Sequence, residues 1–163
     1  MISFHIPQDK DLLAAFGEVA LRHEHMNYIL KMTIKSLADT TIEEALAATK
    51  YESSRQLRER IKKLAKQKLG EGSPLLKIQA IINNCEQLTN KRNEFVHGLW
   101  VSELDGDAYV RDAFGENRPL PTVQELTELA KEIEILTNKL NSERLEGFLH
   151  QALSDRKMLD KKA

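Results

Sequence analysis

Two side chains suited to phosphate-ester chemistry lie close together in Lys91-Arg92-Asn93-Glu94-Phe95-Val96-His97-Gly98. Arginine is charged at any accessible pH and presents a planar fork of donors that fits a phosphate. An imidazole changes protonation near neutrality, so it can take up or release a proton in a reaction. On a straight helix Arg92 and His97 are roughly 140° apart, so the backbone alone does not align them. Asn93 and His97, four residues apart, do share a face. Arg92 is long enough to curl toward that face, particularly where the helix ends or distorts near Val96. The expected site is a narrow Arg92–Asn93–His97 surface at a helix end, too sparse to be complete unless a second copy contributes. The competing reading is structural. Arg92 would pair with Glu94 or a glutamate of another helix, and His97 would sit in a last turn for dipole reasons alone. Glu94 would then be an outward-facing bystander, or a charge that repels RNA.

The elements that must hold this pair are mostly helices. Glycine (7) and proline (4) are scarce in the 163 residues, which favours long uninterrupted elements. After a lead-in at Pro7-Gln8-Asp9, with Asp9 as an N-cap, Leu12, Phe16, Val19, His23, Met26, Leu30, Ile34 and Leu37 recur at steps of three and four. That is one stripe of a helix running to about Ala38. Thr40 or Thr41 can cap a short second helix from Ile42 to about Lys50. Ser53 or Ser54 can cap a third that reaches Leu69. A fourth starts with Ser73 as N-cap and Pro74 at the first helical position. It buries Leu75, Ile78, Ile81, Ile82, Cys85 and Leu88, with Phe95 further on, and ends near His97 because Gly98 is a natural residue to follow a helix.

The period then changes to two. Leu99–Leu104 and Ala108–Asp112 flank Asp105-Gly106-Asp107, a hairpin signal. Such a hairpin is marginal alone and must pack on the helices, through Trp100 or Val101 and Val110. Gly115 to Pro121 reads as a loop. Thr122 and Glu125 form a capping box for a long last helix that carries on to Leu153, with a kink at Asn141-Ser142. From about Ser154 the polar tail is expected to fray. The expected architecture is mainly α: a single domain over residues 1–163, a bundle of about five helices with one β-hairpin near residues 99–113.

Composition narrows the function classes. With 41% hydrophobic and 30% charged residues the chain is a globular protein with a real core. A net charge of −1 excludes a uniformly basic nucleic-acid binder, so any such surface must be local. The densest positive stretch lies in the third helix, where Arg55, Arg58, Lys62 and Lys66 fall in a row and Arg60, Lys63 and Lys68 add to it, against Glu59. It reads either as a solvated helix face or as a strip for a phosphate backbone.

The one cysteine, Cys85, fits a reducing compartment and a role as small core filler. His23 and His25 point roughly 200° apart on a helix and cannot chelate one metal. No metal or cofactor is therefore expected. The N-terminus has neither a basic nor an apolar leader region, and no apolar run approaches the roughly 20 residues that span a bilayer. The expected location is the cytoplasm.

Arg92-Asn93-Glu94-Phe95-Val96-His97 resembles the signature of the HEPN superfamily, an arginine, a polar residue, three residues and a histidine. The late position of the motif in a core helix of an all-helical chain is similar too, whereas the hairpin after Gly98 is an addition. The resemblance implies a homodimer in which the motif-bearing helices face one another. It also implies a metal-independent endoribonuclease, often of toxin–antitoxin or phage-defence systems, or a relative that has lost activity and binds a protein or nucleotide partner. In the active case RNA is the substrate. His97 would be the acid or base, Arg92 would hold the scissile phosphate, and Asn93 would orient His97 or the phosphate. The products would carry 2′,3′-cyclic phosphate and 5′-hydroxyl ends.

Overall fold

The computed structural model describes residues 2–103, 106–112 and 114–161. Among them lie six helices and four short strands: β1 (Ile2–Phe4), α1 (Lys10–Ala38), α2 (Ile42–Ala48), α3 (Ser54–Leu69), α4 (Ser73–Val96), β2 (Leu99–Glu103), β3 (Ala108–Arg111), β4 (Asn117–Pro119), α5 (Val123–Leu145) and α6 (Phe148–Asp160). The fold is mainly α, as expected. The described residues divide into two compact units, residues 1–23 with 88–133 and residues 24–87 with 134–163.

The first unit holds the antiparallel sheet, in the order β1-β2-β3-β4. The expected hairpin is its centre, with Trp100 opposite Val110 and Val101 opposite Tyr109. Leu104 and Asp105, in the expected turn, lie outside the described residues. Two further strands correct the sequence reading. Ile2–Phe4, ahead of the lead-in and assigned to no element by the sequence, pairs with β2, placing Phe4 opposite Val101. The supposed loop contains β4, which sets Arg118 opposite Val110. Asp112 builds the intervening turn: its Oδ1 accepts from the Phe114 and Glu116 amides, and Gly115 adopts φ +85°. Pro119 is tolerated because β4 is an edge strand. Val101 and Val110 are buried, as are Val19, Leu126, Ala130 and Ile133 from α1 and α5. Buried His23 meets the Thr89 hydroxyl at 3.1 Å, in keeping with a core histidine.

The second unit is helical. Thr41 caps α2 in a reciprocal box with Glu44, and Ser53 caps α3 with Gln56. In α4 the first helical bond runs from the Leu76 amide to the Gly72 carbonyl, so Ser73 lies inside the helix, which starts one residue earlier than expected. Met26, Leu30, Ile61, Ile78, Ile82 and Leu140 are among the most buried side chains.

The last helical segment breaks at Glu146-Gly147; Asn141-Ser142, where a kink was expected, lies within α5. Glu143 Oε2 accepts from the Phe148 amide across this joint. A Cβ on Gly147 would overlap the same carboxylate, so a side chain there would displace the cap. Residues 154–160, expected as a fraying tail, belong to α6, which packs on α3 and is held by Lys157 Nζ to Asp39 Oδ1 at 2.6 Å.

Candidate active site at the end of helix 4

Helix α4 stops at Val96, and the His97 amide still donates to the Asn93 carbonyl at 3.0 Å. His97 is thus freed from strict helical geometry while remaining tethered to the last turn. Three contacts fix that turn. The Trp100 indole Nε1 donates to the Phe95 carbonyl at 2.9 Å, satisfying one of the acceptors that every helix C-terminus leaves open. Trp100 is itself held edge-on against Phe16, with ring centroids 5.6 Å apart. Arg118 Nη1 of β4 bonds Glu94 Oε2 at 2.8 Å.

Gly98 makes this close return of the chain possible. Its glycine requirement is steric: a Cβ there would overlap Val110 Cγ1 and lie 2.6 Å from the Glu94 carbonyl oxygen. Its φ lies outside the left-handed region that suits a helix-ending glycine.

The motif side chains meet. Arg92 Nη1 lies 3.0 Å from Asn93 Oδ1 and 3.4 Å from His97 Nε2. A guanidinium only donates, so this contact is a hydrogen bond when Nε2 carries a lone pair, which puts the neutral ring's proton on Nδ1. The same logic turns Asn93: its oxygen faces Arg92, leaving its amide N–H groups to donate elsewhere. Asn93 therefore orients Arg92. Among the described residues no side-chain bond joins it to His97, the partner the sequence suggested. Arg92 is half-buried and pairs with no carboxylate among the described residues, and its Nε is buried without a hydrogen-bond partner. Glu94, the expected competitor, is neutralised by Arg118, which Asp112 also approaches at 3.8 Å. His97 is exposed. The result is a cation with no carboxylate partner among the described residues, beside an imidazole at the surface.

The basic row of α3 is arranged differently from the continuous strip the sequence suggested. Arg55 is bonded to Glu59 at 2.9 Å, and Lys62 lies 3.7 Å from Glu86. Arg58 is only 5% exposed, on the buried side with Leu57 and Ile61, and burial draws its pKa below the usual arginine range. Lys66 is exposed and, among the described residues, makes no ion pair. Arg60 is bonded to Glu52. A phosphate backbone would have to compete with Glu59 and Glu86 for two members of the row and could not reach the third.

Cys85 is buried, and desolvation pushes its thiol up to about 12, which makes it a poor nucleophile at neutral pH. No group of three or more metal-ligating side chains occurs among the described residues. None of the described helices is long and apolar enough to cross a membrane.

Sequence reasoning missed Trp100 as a cap, Arg118 as the partner of Glu94, and the steric role of Gly98. The turn signal Asp112 to Gly115 could have revealed β4 and so brought Arg118 into view. Comparisons with protein-family models, curated proteins and solved structures gave no match.

Proposed function

We propose that the protein is an HEPN-like, metal-independent endoribonuclease that works as a homodimer through the motif-bearing helix. The observation that carries this reading is the Arg92–His97 contact, made by an arginine with no carboxylate partner among the described residues. A structural arginine in a half-buried position ordinarily acquires an anion of its own. Here Arg92 keeps its charge available, while Asn93 fixes its fork.

The chemistry follows from the groups. With Nε2 unprotonated, His97 accepts the proton of a ribose 2′-hydroxyl. The 2′-oxygen attacks phosphorus, the bond from phosphorus to the 5′-oxygen breaks, and the leaving oxygen takes a proton from a second acid. The His97 of a second copy would be that acid. Arg92 Nη groups hold the non-bridging oxygens and offset the charge of the pentavalent transition state. The scissile phosphate would replace the Arg92–His97 bond, so the resting contact holds both groups near their working positions. This reading does not draw on the row in α3, where Arg55 is paired with Glu59 and Lys62 with Glu86.

A second reading draws on one observation. Beside the motif lies a cavity of about 230 Å³ lined by Lys91, Glu94, Phe95, Glu125, Glu128, Leu129 and Glu132. Of its four carboxylates Glu94 is paired with Arg118 and Glu132 with Lys91, which leaves Glu125 and Glu128 to suit a basic protein segment better than RNA, as in a non-catalytic module that binds an antitoxin-like or other protein partner.

The experiment is RNA cleavage in EDTA by wild-type protein, Arg92→Ala and His97→Ala, purified identically. Loss of cleavage in both variants supports the nuclease. Equal cleavage by His97→Ala removes it. A stable protein complex, with no cleavage by wild type of any RNA tested, favours the binding module.

A further inference from the structure

Two arginines in the described structure share an unusual condition. Arg92 and Arg144 each have a buried Nε with no hydrogen-bond partner. Neither pairs with a carboxylate among the described residues. Arg92 belongs to the motif, whereas Arg144, in the last turn of α5 within the second unit, belongs to nothing described so far.

An arginine in a last helical turn ordinarily binds the terminal carbonyls or complements the dipole. The only side-chain hydrogen bond of Arg144 among the described residues is from Nη2 to Asn141 Oδ1, at 2.6 Å, so its guanidinium reaches no main-chain carbonyl there. The adjacent carboxylate that could have paired with it, Glu143, is turned to the Phe148 amide instead. Half-buried and with no carboxylate partner among the described residues, the guanidinium is destabilised by desolvation, and its pKa is drawn below the usual arginine range, with Tyr28 opposing that effect.

The two groups that act on it, Asn141 and Tyr28, can both donate. The Arg144 Nη groups retain unused N–H bonds. Asn141 turns its oxygen to Arg144, which leaves its amide N–H groups to donate elsewhere, as Asn93 does beside Arg92. Tyr28, about half exposed on α1, offers a phenolic hydroxyl. Donors beside a cation that has no carboxylate partner among the described residues suit a ligand rich in acceptors and negative charge.

We propose that Arg144, Asn141 and Tyr28 form a binding site for a phosphoryl oxyanion, either free phosphate or the phosphate of a nucleotide. A phosphoryl group supplies three acceptor oxygens and the missing negative charge, and the Arg fork can engage two of them. The site stands independently of RNA cleavage.

The test is thermal unfolding in millimolar phosphate against chloride at equal ionic strength, for the wild type, Arg144→Gln, Arg144→Lys and Tyr28→Phe. Phosphate should raise the midpoint of the wild type beyond its general salting effect, which the Arg144→Gln baseline measures. Arg144→Gln should lower apparent phosphate affinity by about tenfold or more, and Arg144→Lys and Tyr28→Phe by smaller factors. In chloride Arg144→Gln should melt at or above wild type, because it removes an unpaired desolvated charge. The same titration with adenosine monophosphate separates the sources: tighter binding than phosphate assigns a nucleotide, and equal binding assigns the phosphate group alone. Equal phosphate shifts in wild type and Arg144→Gln would overturn the site. So would an acetate response as large as that to phosphate. No RNA is present, so failure here is distinguishable from failure of the nuclease reading.

Discussion

Replacing Gly98 by alanine tests how the active-site turn is built. The new Cβ would overlap Val110 Cγ1 and sit 2.6 Å from the Glu94 carbonyl oxygen, closer than carbon and oxygen can pack. Val110 is 3% exposed and cannot swing into solvent. The Glu94 carbonyl belongs to the last turn of α4 and cannot shift without carrying that turn with it. Overpacking of this kind costs about 1–3 kcal/mol. In a chain of this size that lowers the thermal midpoint by about 2–4 °C per kcal/mol.

Relief should be partial when Val110 is trimmed as well. Val110→Ala alone removes buried methyl groups, at about 0.8 kcal/mol for each plus the cavity left behind. In the double variant the overlap with Val110 disappears while the carbonyl clash persists, so the two changes should couple by about 1 kcal/mol. Urea unfolding of the four proteins measures this cycle. The wild type and Gly98→Ala should also differ in the chemical shifts of His97, whose amide is bonded into the same turn. A Gly98→Ala protein within about 0.3 kcal/mol of wild type, with unchanged His97 signals, would refute the packing described for this turn.

Three other outcomes follow. Neutral His97 should carry its ring proton on Nδ1, read from its imidazole ¹⁵N shifts, and Arg92→Ala should release that preference; an Nε2–H tautomer would contradict the Arg92 contact. Cys85 should resist thiol reagents in the native state and react on denaturation. Its thiol is raised from 9.0 to about 12 by burial, so both states hold the proton below pH 9, and the unfolded state alone releases it between 9 and about 12. Stability is therefore intact below pH 9 and falls as pH rises through that window, and Cys85→Val should flatten that fall. Ser53→Ala breaks the reciprocal box with Gln56 and should cost about 1 kcal/mol in urea unfolding, whereas Ser54→Ala, inside the helix, should spare the cap.

The helices were legible because their buried residues recur at helical spacing over many turns, and because Thr41, Ser53 and Thr122 carry the side chains that start a helix. The outer strands were not. Ile2–Phe4 and Asn117–Pro119 are three residues each, too short for alternation to register, and they exist as strands through pairing with β2 and β3. Arg58 shows the limit of a charge pattern: spacing put it in a basic row, yet its long apolar stem lets it lie inside. The break between α5 and α6 was misplaced because it depends on Glu143 reaching the Phe148 amide across Gly147, which no periodicity encodes. At the site, sequence spacing named Arg92, Asn93 and His97 and allowed them to meet. That Asn93 would serve Arg92, and that Trp100 would cap the turn, depended on the return of β2 against α4.

The most direct test of the central proposal is end-group analysis of a defined RNA incubated in EDTA, beside the same strand with one 2′-deoxyribose at the cleaved position. If Arg92 and His97 act through the neighbouring hydroxyl, wild type leaves 2′,3′-cyclic phosphate and 5′-hydroxyl ends, spares the deoxy position, and both alanine variants are inactive. Cleavage at the deoxy position at the same rate, or undiminished cleavage by either variant, would contradict it.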